Sequence, residues 1–254
     1  MIYLLVHLRF VGMMFTSPVF FATATPIPFR FLCAVLLTVA SFGTTTGLLE
    51  TTAIPMILFE SWLSIFFLAL RELLVGVIIG LLATLPLVAL QISGEQIGIA
   101  MGFSMANLMD PLAQTQSSVI GQLQFLVGLW FYFRWNGHLL LVQAVIESLS
   151  LVPLAQLSWL PTHDMALGEW LQAAFRLAVK IVIPFYCALL LADIGLGFLA
   201  RTVPQMNIFV LGLPMKVALG FLVLTAALPL TVDMLYGQIE RWIEFALAST
   251  TAWR

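Results

Sequence analysis

Long apolar runs separated by short polar interruptions dominate this sequence. They fall at Leu4–Phe21, Phe31–Ser41, Ile54–Leu70, Leu73–Leu90, Val119–Phe133, Leu139–Leu154, Leu171–Leu191 and Ile208–Val232. A last stretch, Met234–Leu247, is amphipathic and carries Glu240, Arg241 and Glu244. In lipid only helices and closed barrels satisfy every backbone polar group. A membrane barrel is written in segments of about ten residues that alternate in polarity. These runs are longer and continuous, so each predicts helix, and the fold class is all-α and membrane-associated.

The runs do not read as a row of simple spans. A span takes about 20 apolar residues, and several runs are shorter. Ser61–Gln91 is too long for one and carries Arg71 and Glu72 near its middle. Pro86, Pro184 and Pro229 stand inside apolar segments, where proline removes a helix hydrogen bond and kinks or breaks the helix. Gln91, Gln96, Gln114, Gln116, Gln122 and Gln124 line the central third. Such groups fit membrane depth when buried in protein or facing a water-filled path. The expectation is broken helices and helical hairpins packed against other protein.

Composition sharpens this picture. The 254 residues are 62% hydrophobic and 9% charged, against roughly 25% charged in soluble domains. A net charge of −2 leaves no basic footprint for nucleic acid. Cys33 and Cys187 lie in apolar runs and read as small buried hydrophobes without a disulfide. Arg9 follows the first apolar stretch and no small-x-small site comes after it, so this segment is expected to be retained. The Lys and Arg residues are scattered singly and fix no topology.

Catalytic signatures are missing. No phosphate-binding glycine loop, H-E-x-x-H or G-x-S-x-G occurs, and His7, His138 and His163 lack metal-ligand spacing. Glu95 and Asp110 have no plausible partner acid. The expectation is a non-enzyme without cofactor or metal.

The run Gly94–Gln116, GEQIGIAMGFSMANLMDPLAQTQ, stands apart. Gly94, Gly98 and Gly102 recur every fourth residue, and so do Met101, Met105 and Met109. Small residues at this step permit close helix packing. Soft methionines beside Phe103, Ser104 and Asn107, with Asp110-Pro111 breaking any helix, equally suit a movable loop that closes a pore. The isolated charges, Arg71-Glu72, Glu147, Arg176, Lys180, Asp193, Arg201, Lys216 and Asp233, are costly in apolar surroundings. They are expected to pair between helices; Arg71 and Lys216 in particular are expected to position their neighbours.

Several of these runs, in order, resemble the FliR family, the R subunit of the flagellar type III protein export gate, with the injectisome T subunit as a relative. The carriers are RELLVGVIIG (Arg71–Gly80), GEQIGIAMGFSMANLMDP (Gly94–Pro111), NGHLLLVQ (Asn136–Gln143) and PQMNIFVLGLPMK (Pro204–Lys216). The resemblance implies one gate subunit spanning 1–254, with a P-subunit-like part at 1–165 and a Q-subunit-like two-helix part at 166–254. Its turn would hold Gln205, Asn207 and Pro214-Met215-Lys216, and Arg71, Glu72, Arg201, Gln205, Asn207 and Lys216 would be structural or inter-subunit residues. It implies a spiral assembly, usually of five P, four Q and one R, in the bacterial inner membrane within the flagellar basal body. The B and A export subunits and unfolded flagellar substrates would be further partners. A plug loop in that family points to Gly98, Met101, Gly102, Phe103, Met105, Asn107, Met109, Asp110 and Pro111, which would close the channel by dewetting. On residues alone, a secondary transporter or a purely structural membrane scaffold stays open.

Overall fold

A computed structural model describes residues 2–18, 25–41, 43, 62–103, 118–152, 154, 167–203 and 208–251. Among these the chain forms seven helices and no strand. They are α1 (Ile2–Thr16), α2 (Ile27–Ala40), α3 (Trp62–Met101), α4 (Val119–Arg134), α5 (Gly137–Leu151), α6 (Leu167–Thr202) and α7 (Ile208–Thr251). The chain is all-helical, as the apolar runs require. Trp62–Met101, Gly168–Thr202 and Val210–Ile239 are long and apolar enough to cross a membrane, while α1, α2 and α5 are shorter apolar helices.

Two expectations about continuity change. The runs on either side of Arg71 and Glu72 are one helix, α3, because both side chains are buried with partners instead of marking an exposed break. The prolines do not end helices: α3 passes through Pro86, α6 through Pro184, and α7 through Pro214 and Pro229. One proline removes one donor, and where no water competes for the remaining backbone groups the helix continues as their best partner. For the same reason Pro214-Met215-Lys216 lies inside α7 and not in the preceding turn, and Met234–Leu247 is the same helix as Ile208–Val232.

The chain divides into two compact units. The first comprises Met1–Leu85, Tyr132–Trp170 and Gln238–Arg254. Here α1 packs on the first half of α3 through glycines. A Cβ added at Gly12 would strike the Leu73 carbonyl oxygen, and one at Gly76 the Arg9 carbonyl oxygen. Absent side chains let the two backbones touch, as at small-xxx-small crossings. Two threonines then bond across the seam: Thr16 Oγ1 to the Val77 carbonyl at 3.1 Å, and Thr84 Oγ1 to the Thr16 carbonyl at 2.6 Å. Leu5, Phe10, Met13, Val75, Ile79 and Leu82 fill the surrounding core. On the other side of α1, Phe15 meets Phe31 of α2 edge to face at 5.4 Å.

The α4–α5 connection turns at Asn136, whose φ of 56° lies in the left-handed region that asparagine tolerates best among non-glycine residues. Tyr132 closes this turn by donating its hydroxyl to the Gly137 carbonyl at 2.7 Å. Burial raises the Tyr132 phenol above its ordinary pKa, so it stays a neutral donor.

The second unit comprises Pro86–Phe131 and Leu171–Gly237. Its core joins Ile97 and Met101 of α3, Ile120 of α4, Val182, Phe185 and Leu189 of α6, and Leu224 of α7. Glycines again set the closest approach: a Cβ at Gly94 would lie 2.7 Å from Gly121 Cα, and one at Gly121 would lie 3.1 Å from the Gln91 carbonyl. Buried Ser93 and Gln124 meet side chain to side chain at 2.7 Å beside this crossing.

Candidate functional site

In the second unit the distinctive glycine and methionine run begins as helix. Gly94 and Gly98 serve the packing role that their spacing allows: Gly94 faces Gly121, and a Cβ at Gly98 would strike the Ser118 hydroxyl. Met101 is fully buried, and a Cβ at Gly220 of α7 would come within 2.6 Å of its side chain. The helix stops one residue later for an identifiable reason. Gly102 has φ +93°, its N–H bonds the Ile99 carbonyl at 3.0 Å, and the Phe103 N–H bonds the Gly98 carbonyl at 3.0 Å. This pair of reversed bonds is the Schellman arrangement, which needs a residue free to take positive φ after the last helical turn.

The chain leaves α3 at Phe103 and is described again at Ser118. Since Ser118 sits against Gly98, the two ends of the intervening segment are held side by side. Met105, Asn107, Met109, Asp110 and Pro111 lie outside the described residues, as do Gln114 and Gln116. Of the expected gate residues, the structure therefore places Gly98, Met101, Gly102 and Phe103 at the anchored end of that segment.

The isolated charges resolve into two groups. In the first unit Glu72 of α3 pairs with Arg9 of α1, and neither side chain has any exposed surface. Arg9 Nε donates to Glu72 Oε2 at 2.8 Å, Arg9 Nη2 bonds the same oxygen, Nη1 donates to Ser148 Oγ of α5 at 2.9 Å, and Nη2 lies 3.3 Å from the Val152 carbonyl. One guanidinium thus ties α1, α3 and the end of α5. Buried Arg71 lies beside Glu72, its Nη1 3.7 Å from Oε1. In the second unit Lys216 of α7 pairs with Asp193 of α6 in a partly exposed bridge. Arg176, Lys180, Arg201, Glu147 and Asp233 are exposed. Gln205 and Asn207 lie outside the described residues.

Sequence reasoning treated Arg9 only as a charge behind the first apolar run. The signal was present, since a lone arginine in an apolar helix needs an anion and Glu72 is the lone acid of α3's apolar first half. The glutamines find protein partners: Gln124 at Ser93, Gln91 at Glu95, and Gln96 at the Tyr186 hydroxyl. Both cysteines are free thiols, but neither is buried: Cys33 is half-buried and Cys187 exposed, because the α6 face bearing Cys187 is itself apolar and uncovered. His7 bonds Thr38 at 3.2 Å, and His138 rests on the Phe133 ring at 5.3 Å. His163 lies outside the described residues. No group of three potential His, Cys, Asp or Glu ligands gathers among the described residues.

The bacterial export proteins, family 1, match the chain over residues 1–242. The chain belongs to this family. It is 34% identical to the flagellar biosynthetic protein FliR of Bacillus subtilis over 87% of its own length and 84% of that protein. It is 29% identical to the protein of the same name from Aquifex aeolicus over 91% of the chain and 87% of the relative. Yop proteins translocation protein T of Yersinia pestis is 30% identical over 61% of the chain and 60% of the relative. The resemblance to the FliR family thus holds over nearly the whole sequence. The family is one of bacterial export proteins, and this member carries three helices long and apolar enough to cross a membrane.

Proposed function

We propose that this chain is the R subunit of a flagellar type III export gate in the bacterial inner membrane, within the flagellar basal body. It assembles with P and Q subunits, five P and four Q to one R, and forms with them the channel for unfolded flagellar proteins. The B and A export subunits act beside it. Residues 1–165 take the P-like place in the spiral and residues 166–254 the Q-like place. The observation that carries this reading is the family match across residues 1–242. The names of the flagellar relatives favour the flagellar over the injectisome branch.

Within that gate, Phe103 and the segment carrying Met105, Asn107, Met109, Asp110 and Pro111 form the plug, with Gly98, Met101 and Gly102 as its anchor. A hydrophobic, deformable constriction excludes ions by dewetting yet yields to a polypeptide. The Schellman stop at Gly102 and the contact of Gly98 with Ser118 support this role, since a plug that opens needs fixed ends.

Two measurements test the reading. Co-expression with the neighbouring gate subunits and mass determination of the solubilised complex should give one copy in a large hetero-oligomer; a lone monomer or homodimer would refute it. Deleting residues 104–111, which spares the buried Met101 and the cap, should leave assembly intact and make the membrane leak ions. Unchanged permeability would remove the plug assignment.

A further inference from the structure

In the second unit an apolar groove of about 430 Å³ runs between α3 and α6. Phe175, Val179, Ile183 and Cys187 of α6 face Ile92 of α3 across it. Its polar groups are few: Tyr186 donates its hydroxyl to Gln96 Oε1 at 3.3 Å, and the Cys187 thiol is free. The groove is open on the exposed side of α6, where Phe175, Val179 and Ile183 are each more than half exposed.

Charge gives this groove a direction. Arg176, Lys180, Ile183 and Cys187 follow one another at steps of four, three and four residues, which places them on one stripe of the helix. Next to the lining residues Phe175 and Val179, the half of the groove nearer the α6 N-terminus is therefore flanked by two cations one turn apart. Both are exposed, and neither makes an ion pair or hydrogen bond with another described residue. The nearest acid on the same stripe, Glu169, is two turns before Arg176, while Glu95 on α3 accepts from Gln91 and Asp193 is paired with Lys216. From Arg176 to Cys187 the helix rises about 16 Å. One leaflet of the hydrocarbon core is about 15 Å deep. The stripe thus has two cations over its first turn and apolar side chains at Ile183 and Cys187, the last lying about 10 Å beyond Lys180, within the depth of a single leaflet.

We propose that this groove binds an anionic phospholipid, its phosphate held by Arg176 and Lys180 and one acyl chain lying along Ile183 toward Cys187. Unbalanced cations beside an apolar channel select an anionic headgroup over a zwitterionic one. This site lies beyond the export-gate reading and takes this face of α6 to stay open to lipid when the gate is assembled.

Cys187 supplies the probe. In the full-length C33A variant it is the sole thiol, and its alkylation by a membrane-permeant maleimide can be timed in nanodiscs of phosphatidylcholine, with and without phosphatidylglycerol. Native mass spectrometry of the same protein counts retained lipid. Phosphatidylglycerol should slow labelling several-fold and remain bound where phosphatidylcholine does not. R176Q/K180Q should lower phosphatidylglycerol retention about tenfold and restore fast labelling, whereas R176K/K180R should keep both properties. Equal labelling in the two lipids would overturn the proposal, as would lipid retention indifferent to R176Q/K180Q. Protection that appears only with co-expressed gate subunits, whatever the lipid, would assign the groove to a protein segment instead.

Discussion

Arg9 and Glu72, 63 positions apart, form an ion pair with no exposed surface on either side chain. Each alone would be untenable in an apolar helix; together they fix α1 against α3. Removing Glu72 leaves Arg9 and the neighbouring Arg71 buried without their shared anion, which costs about 3–5 kcal/mol. Removing Arg9 leaves Glu72 with the longer Arg71 contact alone. Replacing a buried pair with apolar residues of similar size is milder. R9M and E72M should each lower the unfolding temperature in detergent, E72M the more sharply, and R9M/E72M should recover part of the E72M loss, the remainder reflecting Arg71 left without Glu72. Additive losses in that cycle would show that the two residues act separately.

The α1–α3 seam depends on backbone contact, so its glycines cannot accept a methyl group. G76A would drive Cβ into the Arg9 carbonyl, an atom that cannot swing aside. A cost of about 1–3 kcal/mol is expected from such overpacking. Gly195 and Gly197 of α6 are the controls: nothing lies within 4 Å of an added Cβ at either. There alanine should stabilise the helix by roughly 0.5–1 kcal/mol. Thermal melts of the three variants decide the matter, and a melt of G76A equal to wild type would contradict the close approach.

At Gly102 the strain is conformational. Alanine at φ +93° carries a penalty of about 1–2 kcal/mol. Its Cβ would also lie 2.7 Å from Leu213 Cδ2, the far end of a flexible side chain that can move. G102A should therefore lower the unfolding temperature, and adding L213A should restore little of it. Full restoration by L213A would make crowding, not backbone conformation, the reason for glycine.

Lys216 and Asp193 offer the opposite case to Arg9 and Glu72. Their side chains are 25% and 52% exposed, and bridges of this kind contribute about 0–1 kcal/mol. K216A should barely change the melting of the isolated chain. A strong loss of co-purifying gate subunits in the same variant would then locate the residue's main role between subunits; unchanged assembly with lost export would point to transport itself.

The sequence by itself determined the class of this protein. Its apolar runs exceed anything a soluble fold can hide, and their continuity leaves helix as the only way to satisfy the backbone. The glycine and methionine spacing from Gly94 to Met109 and the ordered motifs carried the family resemblance. Tertiary structure decided where the helices continue and what the charges do. Local rules put a break at Pro86 or Pro184, but a proline's effect depends on whether water or protein surrounds the freed carbonyl. Gly76 and Gly80 have the same spacing as Gly94 and Gly98, yet spacing does not show which backbone arrives opposite. The partner of Glu72 was equally invisible, because pairing across 63 residues follows from how α1 lies on α3 and not from any local pattern.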